Sequence, residues 1–144
     1  MSVNHKKTDG LPIYYGNIKL DMVLDLREKI ISAIEKRKIY REKNYPVKQL
    51  ATDLGTNTRY VSTVINVSFG MNYTSLINKY RIEDAITILN NEKYRNLRVE
   101  DVSDMVGFSN RQSFYTSFQR VTGMTPKTYK RLNQPSGDLK KKKK

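Results

Sequence analysis

Apolar residues recur along this chain at helical spacing, with glycines between the runs. Positions i, i+3, i+4 and i+7 mark the buried face of an amphipathic helix. Ile30, Ala33 and Ile34 mark a first helix ending near Tyr40. Asp25-Leu-Arg-Glu28 ahead of them resembles a capping box, in which side chains take up free backbone N–H groups. Pro46 opens a second, short helix carrying Val47, Leu50, Ala51 and Leu54, and Gly55 breaks it. Asn57 suits the N-cap of a third helix, roughly Thr58 to Ser68, with Val61, Val64 and Ile65 inward and Gly70 as its stop. A long helix is predicted from Tyr73 to Asn90 with Ile82, Ala85, Ile86 and Leu89 inward, followed by a loop to Leu97. Val99, Val102 and Val106 mark the next helix, Gly107 the turn after it, and Phe114 and Phe118 the helix after that. Thr125-Pro126 places an N-cap before a proline at the first helical position, opening a last helix through about Leu132.

The stretch Val99–Pro126 is a short apolar helix, a glycine turn, then a helix with aromatics inside and polar residues outside. That is the pattern of a helix-turn-helix, whose second helix enters the DNA major groove. A looser copy lies upstream. Gly55 matches Gly107 at a separation of 52 residues, while Val61, Ile65 and Gly70 match Phe114, Phe118 and Gly123 at 53. The second turn therefore carries one extra residue, and duplication explains the rest. The predicted fold is all-α, with two helix-turn-helix subdomains joined by a long linker helix. The subdomains span residues 25–72 and 92–133, the linker helix 73–91. Residues 1–24 read as a leader or linker, with Leu11, Tyr14 and Tyr15 able to dock on the body. Residues 134–144, with Pro135, Gly137 and a lysine run, read as a disordered basic tail.

Charge narrows the partners. Among 144 residues, 27 Lys and Arg against 14 Asp and Glu leave a net charge of +13, which favours polyanions. Five of those charges form the run Lys140–Lys144, and the chain without them still carries +8. Hydrophobic content of 38% is low but enough for a helical core, and 10 Tyr and 4 Phe supply bulky anchors. There is no Cys, and the one His, His5, sits in the polar leader, so no metal site or cofactor is expected. No apolar run approaches the roughly 20 residues that span a bilayer, and the first dozen residues do not form a signal peptide. The expected location is the cytoplasm. The leader resembles an interdomain linker, so a C-terminal fragment of a longer protein is expected over a free-standing regulator. An enzyme is not expected, since there is no Gly-rich phosphate loop and no carboxylate pair in a pocket-like pattern. Glu100, Asp101 and Asp104 sit near the start of a helix, where acids favour the macrodipole.

The outward faces of the two candidate reading helices repeat. The first offers Thr58, Arg59, Ser62, Thr63 and Asn66; the second offers Arg111, Gln112, Tyr115, Thr116 and Gln119. Arg pairs with guanine, Gln with adenine, and Ser or Thr adapts to several bases. A solvated helix face carries a similar mixture. Two such faces at matching positions of a duplicated turn, in a basic chain, favour double-stranded DNA. The alternative is a nonspecific nucleic-acid-binding or protein-interaction module, which the lysine tail would also serve. The linker helix should be about 27 Å long at ~1.5 Å per residue. Successive major-groove faces lie ~34 Å apart, so units at its ends can occupy adjacent turns, with a DNA bend if the linker is straight.

The run Gly107-Phe108-Ser109, then Phe114, Phe118, Gly123-x-x-Pro126 and Tyr129, resembles the signature of AraC/XylS-type transcription regulators. The similarity covers roughly Asp25 to Leu132, and Arg81 with Ala85 and Leu89 matches the linker helix of that family. Arg59-Tyr-Val-Ser-Thr-Val-Ile-Asn66 with Ile77-Asn-Lys-Tyr-Arg-Ile82 resembles its Bacteroidetes branch. The resemblance implies seven helices, a monomer contacting two major-groove segments, and transcriptional activation through RNA polymerase. By position it implies base reading by Arg59, Ser62 and Thr63 in the first unit and by Arg111, Gln112, Ser113 and Thr116 in the second. Ser113 and Thr116 depart from the family, which often has a larger residue at the first and Arg at the second; Tyr115 and Gln119 stand ready to compensate. Thr125 and the amides after Pro126 lie at a helix N-terminus, which favours phosphate. Lys79, Lys127, Lys130 and Arg131 are further DNA-backbone candidates, and Arg81 is implied to be structural. A sensor domain upstream in a longer parent is also implied, since residues 1–24 are too short for one.

Overall fold

The computed structural model describes residues 14, 15 and 18–133. The leader reading before residue 14 and the tail reading from residue 134 lie outside the described residues. Among the described residues, seven α-helices carry the fold: α1 Leu20–Glu35, α2 Val47–Asp53, α3 Thr58–Phe69, α4 Tyr73–Leu89, α5 Val99–Val106, α6 Arg111–Thr122 and α7 Pro126–Asn133. Ahead of α1, Tyr14–Tyr15 (β1) and Ile18–Lys19 (β2) pair antiparallel as a minimal ribbon, with Tyr15 opposite Ile18. The all-α, duplicated architecture expected from periodicity is the observed one.

The chain forms two compact units. Of the described residues, the first comprises those through Arg37 together with Pro46–Tyr73, and the second Lys38–Tyr45 with those from Thr74 to Asn133. In the first, α1 and α2 both pack on α3. The apolar period dictates what is buried: Val23, Leu26, Ile30, Ala33 and Ile34 on α1, Leu50 and Ala51 on α2, and Val61, Val64 and Ile65 on α3. α1 starts at Leu20 rather than Asp25, because Val23 and Leu26 extend the buried stripe upstream. Asp25 is thus interior to the helix and pairs with Lys29 at i,i+4, 3.3 Å away, so the expected capping box is not formed. The helix also stops short of Tyr40. Lys38 adopts a left-handed conformation (φ 51, ψ 47), and Ile39–Arg41 form a single 3-10 turn that buries Ile39 and Tyr40.

In the second unit, Ile82, Ala85, Ile88 and Leu89 of α4 meet Val99, Val102 and Val106 of α5, and Phe108, Phe114 and Phe118 complete one core cluster. Ile86 is only partly buried against this cluster, and Ile88 is the further inward residue of α4. Aromatic rings pack in sequence: Phe108 on Phe114 at 5.3 Å, Phe114 edge-on to Phe118 at 5.7 Å, and Phe118 edge-on to Tyr129 of α7 at 5.5 Å. Burying each such side chain contributes about 1.5–3 kcal/mol. The α5 N-terminus is held by Asp101, whose carboxylate accepts the Arg98 backbone N–H at 3.1 Å. The Arg98 side chain, and then that N–H, hold the Asp101 carboxyl below its ordinary range.

Residues 38–45 form a strap belonging to this second unit. Arg81 of α4 donates through Nε to the Tyr40 carbonyl (2.6 Å) and through Nη2 to the Glu42 carbonyl (3.0 Å). The guanidinium carbon also sits 5.3 Å from the centre of the Phe108 ring. Asp84, one turn along, accepts two bonds from Arg41 (2.7 and 3.0 Å) and one from the Tyr40 hydroxyl (3.0 Å). The strap then lies against the second glycine turn. A Cβ on Gly107 would fall 2.1 Å from the Tyr40 carbonyl oxygen, whereas one on Gly55 would meet nothing within 4 Å. Both glycines have positive φ, 109° and 71°.

Gly55→Ala should therefore cost only the left-handed backbone penalty of about 1–2 kcal/mol. Gly107→Ala should cost about 3 kcal/mol or more, because backbone rather than a flexible side chain blocks the space. Thermal melts showing equal losses for the two would contradict the close approach of the strap. Burial, and then the negative charge of Asp84, push the Tyr40 hydroxyl from 10.0 up to about 12. The proton is held more tightly in the folded state, so the corresponding stability is complete below pH 10 and drains away as pH climbs toward 12. Tyr40→Phe should remove that part of the alkaline slope in urea titrations from pH 9 to 12. Identical slopes in the two proteins would refute the assignment.

Candidate nucleic-acid interface

The two candidate reading helices are local copies set 53 residues apart. Asn57 precedes α3, and its side-chain oxygen accepts from the Tyr60 N–H at 2.9 Å. Asn110 precedes α6 and accepts from the Ser113 N–H at 2.8 Å. Each carboxamide satisfies a backbone donor that the first helical turn leaves open. At the other end, Gly70 and Gly123 both turn left-handed, at φ 69° and 80°, and donate to Asn66 and Gln119. Twelve helical residues lie between cap and stop in each copy. Since the buried positions also correspond, matched positions fall on matched faces.

On α6 the buried side is Phe114, Ser117 and Phe118. Arg111, Gln112, Ser113 and Thr116 are all exposed, as are Gln119 and Arg120 beyond them, while Tyr115 is half-buried against the core. Gln112 Nε2 donates to Thr116 Oγ1 at 3.5 Å, so these two share one turn of the polar face. On α3, Arg59 is exposed, while Ser62 and Thr63 are half-buried. Asn66 there donates back to the Ser62 carbonyl at 3.2 Å. Arg59 occupies the place of Gln112, and Thr63 that of Thr116. The α3 face thus presents one long cation above two short hydroxyls, whereas α6 presents a broader polar surface.

The backbone candidates are scattered by role. Thr125 caps α7: its hydroxyl accepts the Thr128 N–H at 3.1 Å and donates to the Thr128 hydroxyl at 2.9 Å. Lys127 and Arg131 are exposed on that helix, and Lys79 is exposed on α4. Lys130 is half-buried, and its ammonium donates to the Leu97 carbonyl. Arg81 serves the strap, as the structural role implied by the family resemblance requires. Arg59, Arg111, Lys79, Lys127 and Arg131 form no ion pair with a described residue. The acids nearest in sequence to the second unit's turn are engaged: Asp104 accepts from Lys43 at 2.9 Å, and Asp101 pairs with Arg98 at 3.3 Å.

Sequence reading passed over Asn110 as a cap, although the 53-residue offset from Asn57 points to it. It also passed over Tyr40, Arg41 and Asp84, for which no periodicity gives a signal. Among the described residues, no group of three or more His, Cys, Asp or Glu could hold a metal ion. No helix among them is long and apolar enough to cross a membrane.

Residues 50–132 match the pattern of a helix-turn-helix domain family. Over 89 residues the chain is 25% identical to the uncharacterized HTH-type transcriptional regulator YtdP of Bacillus subtilis (strain 168), covering 62% of this chain but only 11% of that protein's length. Solved structures share the fold. The C-terminal domain of the two-component response regulator yesN from Fusobacterium nucleatum has a TM-score of 0.64 at 24% identity, covering 74% of this chain and 98% of that one. The C-terminal domain of AraT, a response regulator from Geobacillus stearothermophilus, has a TM-score of 0.61 at 24% identity, with 76% and 84% covered. A protein of unknown function from Listeria innocua reaches 0.66 at 24% identity, with 75% and 97% covered. With the capped, glycine-stopped helix repeated in both units and a matching family pattern over more than half its length, the chain belongs to the AraC-type helix-turn-helix family, a family of DNA-binding transcription regulators and not an enzyme class.

Proposed function

We propose that this domain binds duplex DNA sequence-specifically by inserting α3 and α6 into adjacent major-groove segments. The observation that carries the proposal is the correspondence of the two helices, in cap, stop, length and buried face, with a polar face left opposite the core on each. Arg59, Ser62 and Thr63 read the first segment, and Arg111, Gln112, Ser113 and Thr116 read the second. Arg59 and Arg111 suit guanine O6 and N7, and Gln112 suits adenine N6 and N7. Ser113 and Thr116 are short, so they favour close approach of the α6 backbone or hydroxyl contacts over long-range reach. Lys79, Thr125, Lys127, Lys130 and Arg131 position the domain on phosphates, with Thr125 supplying a helix N-terminus to one of them. The charge of +13 on the whole chain, including Lys140–Lys144, speeds encounter and adds affinity that falls with salt. RNA polymerase and an upstream sensor domain are the protein partners that accompany this reading, in the cytoplasm.

Selection from a random duplex pool should return two half-sites about one helical turn apart. Arg59→Ala and Gln112→Ala should each weaken the selected duplex by about 5- to 150-fold, corresponding to ~1–3 kcal/mol per lost base contact, and leave random DNA nearly unaffected. Electrophoretic shifts with equal losses on both duplexes would instead favour nonspecific binding. Lys127→Ala and Arg131→Ala should act alike on every duplex, each lowering the slope of log affinity against log salt by about 1. A slope unchanged in both would remove them from the phosphate set.

A further inference from the structure

We infer that Arg81 and Asp84 are positioning residues for the second reading helix, acting through the 38–45 strap on the turn that precedes α6. The inference rests on the proposed reading of DNA by α6. The strap has two sides. On one, Arg81 takes the carbonyls of Tyr40 and Glu42, and Asp84 takes the Arg41 guanidinium and the Tyr40 hydroxyl. On the other, the strap touches the helix-turn-helix before, within and after its turn. Lys43 donates to Asp104, which lies near the end of α5 and not at its start as expected (2.9 Å), the Tyr40 carbonyl occupies the space of a missing Gly107 Cβ, and the Ser109 hydroxyl donates to the Lys43 carbonyl (3.0 Å). The next residue is Asn110, the cap of α6, followed directly by Arg111 and Gln112. The backbone that launches the reading face is therefore braced from α4 by way of the strap.

The first helix-turn-helix supplies an internal control. Its turn glycine, Gly55, has the same left-handed backbone but no neighbour within 4 Å of a Cβ. Both turns close locally, with the Thr56 N–H donating to Ala51 at 2.9 Å and the Phe108 N–H to Ser103 at 3.2 Å, and in the second the strap contacts come in addition. The extra residue in the second turn coincides with the external brace. Asp84 is the pivot because its two oxygens serve both strap side chains, and its side chain is only 11% exposed, so little water competes for those bonds. Loosening this pivot lets the turn shift, and α6 then presents Gln112 out of register with the base edge. Base discrimination depends on geometry at the ångström scale, so the loss falls on specificity at one half-site.

The test is a pair of double-mutant cycles in the full chain on the selected duplex. Asp84→Asn keeps the shape of the side chain and removes its charge; it is combined with Gln112→Ala and, separately, with Arg59→Ala. Asp84→Asn should reduce discrimination at the α6 half-site about tenfold and leave the α3 half-site unchanged. Its effect should largely vanish in the Gln112→Ala background and add fully to Arg59→Ala. Additivity in both backgrounds, or equal coupling to both, overturns the inference, because a purely structural lesion does not choose between half-sites. Ser109→Ala, which gives up one exposed bond to the strap, carries the same cycles if Asp84→Asn does not melt cooperatively near the wild-type temperature. A wild-type chain with no base preference at the second half-site refutes DNA reading by α6 itself and the inference with it. That outcome is distinct, since it is read on the unmutated protein.

Discussion

The second unit is organised around a backbone contact that only glycine permits. The Tyr40 carbonyl lies where a Cβ of Gly107 would be, so strap and turn meet main chain to main chain. Such an approach needs its polar groups satisfied, because a buried carbonyl without a donor costs on the order of 1–3 kcal/mol. Arg81 supplies that donor at Tyr40 and again at Glu42. Its planar fork suits two carbonyls two residues apart better than an ammonium would. Stacked over Phe108, the same guanidinium ties the strap to the aromatic core, so one side chain joins backbone, turn and core.

The two copies solve one problem with different material. Each must bury one face of a 12-residue helix and keep the other free. The first has Val61 and Ile65 where the second has Phe114 and Phe118. Aliphatic side chains suffice in the first unit, where the long α1 contributes Ile30 and Ile34 as well. The second unit builds its core with rings, and the added turn residue brings in Phe108, the third of them. Edge-on and tilted ring contacts have preferred directions as well as area, which restricts how α6 can rotate about its axis.

Electrostatics divides along the same line. Several acids pair with cations of the fold itself: Asp84 with Arg41, Asp104 with Lys43, Asp101 with Arg98, Asp25 with Lys29 and Glu92 with Arg95. Apart from the Asp84 pair these are exposed, and exposed pairs contribute little stability, typically under ~1 kcal/mol. Their larger effect is on the field, since acids paired with structural cations leave Arg59, Arg111, Arg120, Lys127 and Arg131 among the exposed charges without an ion pair to a described residue on the proposed DNA-facing helices. Family membership, the polar reading faces and this charge distribution point to the same partner.

Periodicity and punctuation carried much of the fold. The buried stripes on α3, α5 and α6, the Asn57 cap, the Gly70 stop, the Thr125-Pro126 start and the 53-residue repeat were all legible, because each depends on residues within one or two turns of one another. Helix ends were less so: α1 starts before its apparent capping box and stops before Tyr40, since long-range burial of Val23 and of Ile39 outweighed local signals. The polar residues proposed to read DNA were visible as types at a spacing, and the tertiary structure separated exposed Arg59 and Gln112 from half-buried Ser62 and Thr63. What only the tertiary structure decided is the strap. Tyr40 and Asp84 are 44 residues apart, and their bond leaves no periodic trace in the chain. A hydrophobic period records which face is buried, while a hydrogen bond between distant segments depends on where the fold brings them. The sequence by itself therefore determined two copies of a helix-turn-helix, and the packed structure decided that the turn of the second is braced by a distant strap.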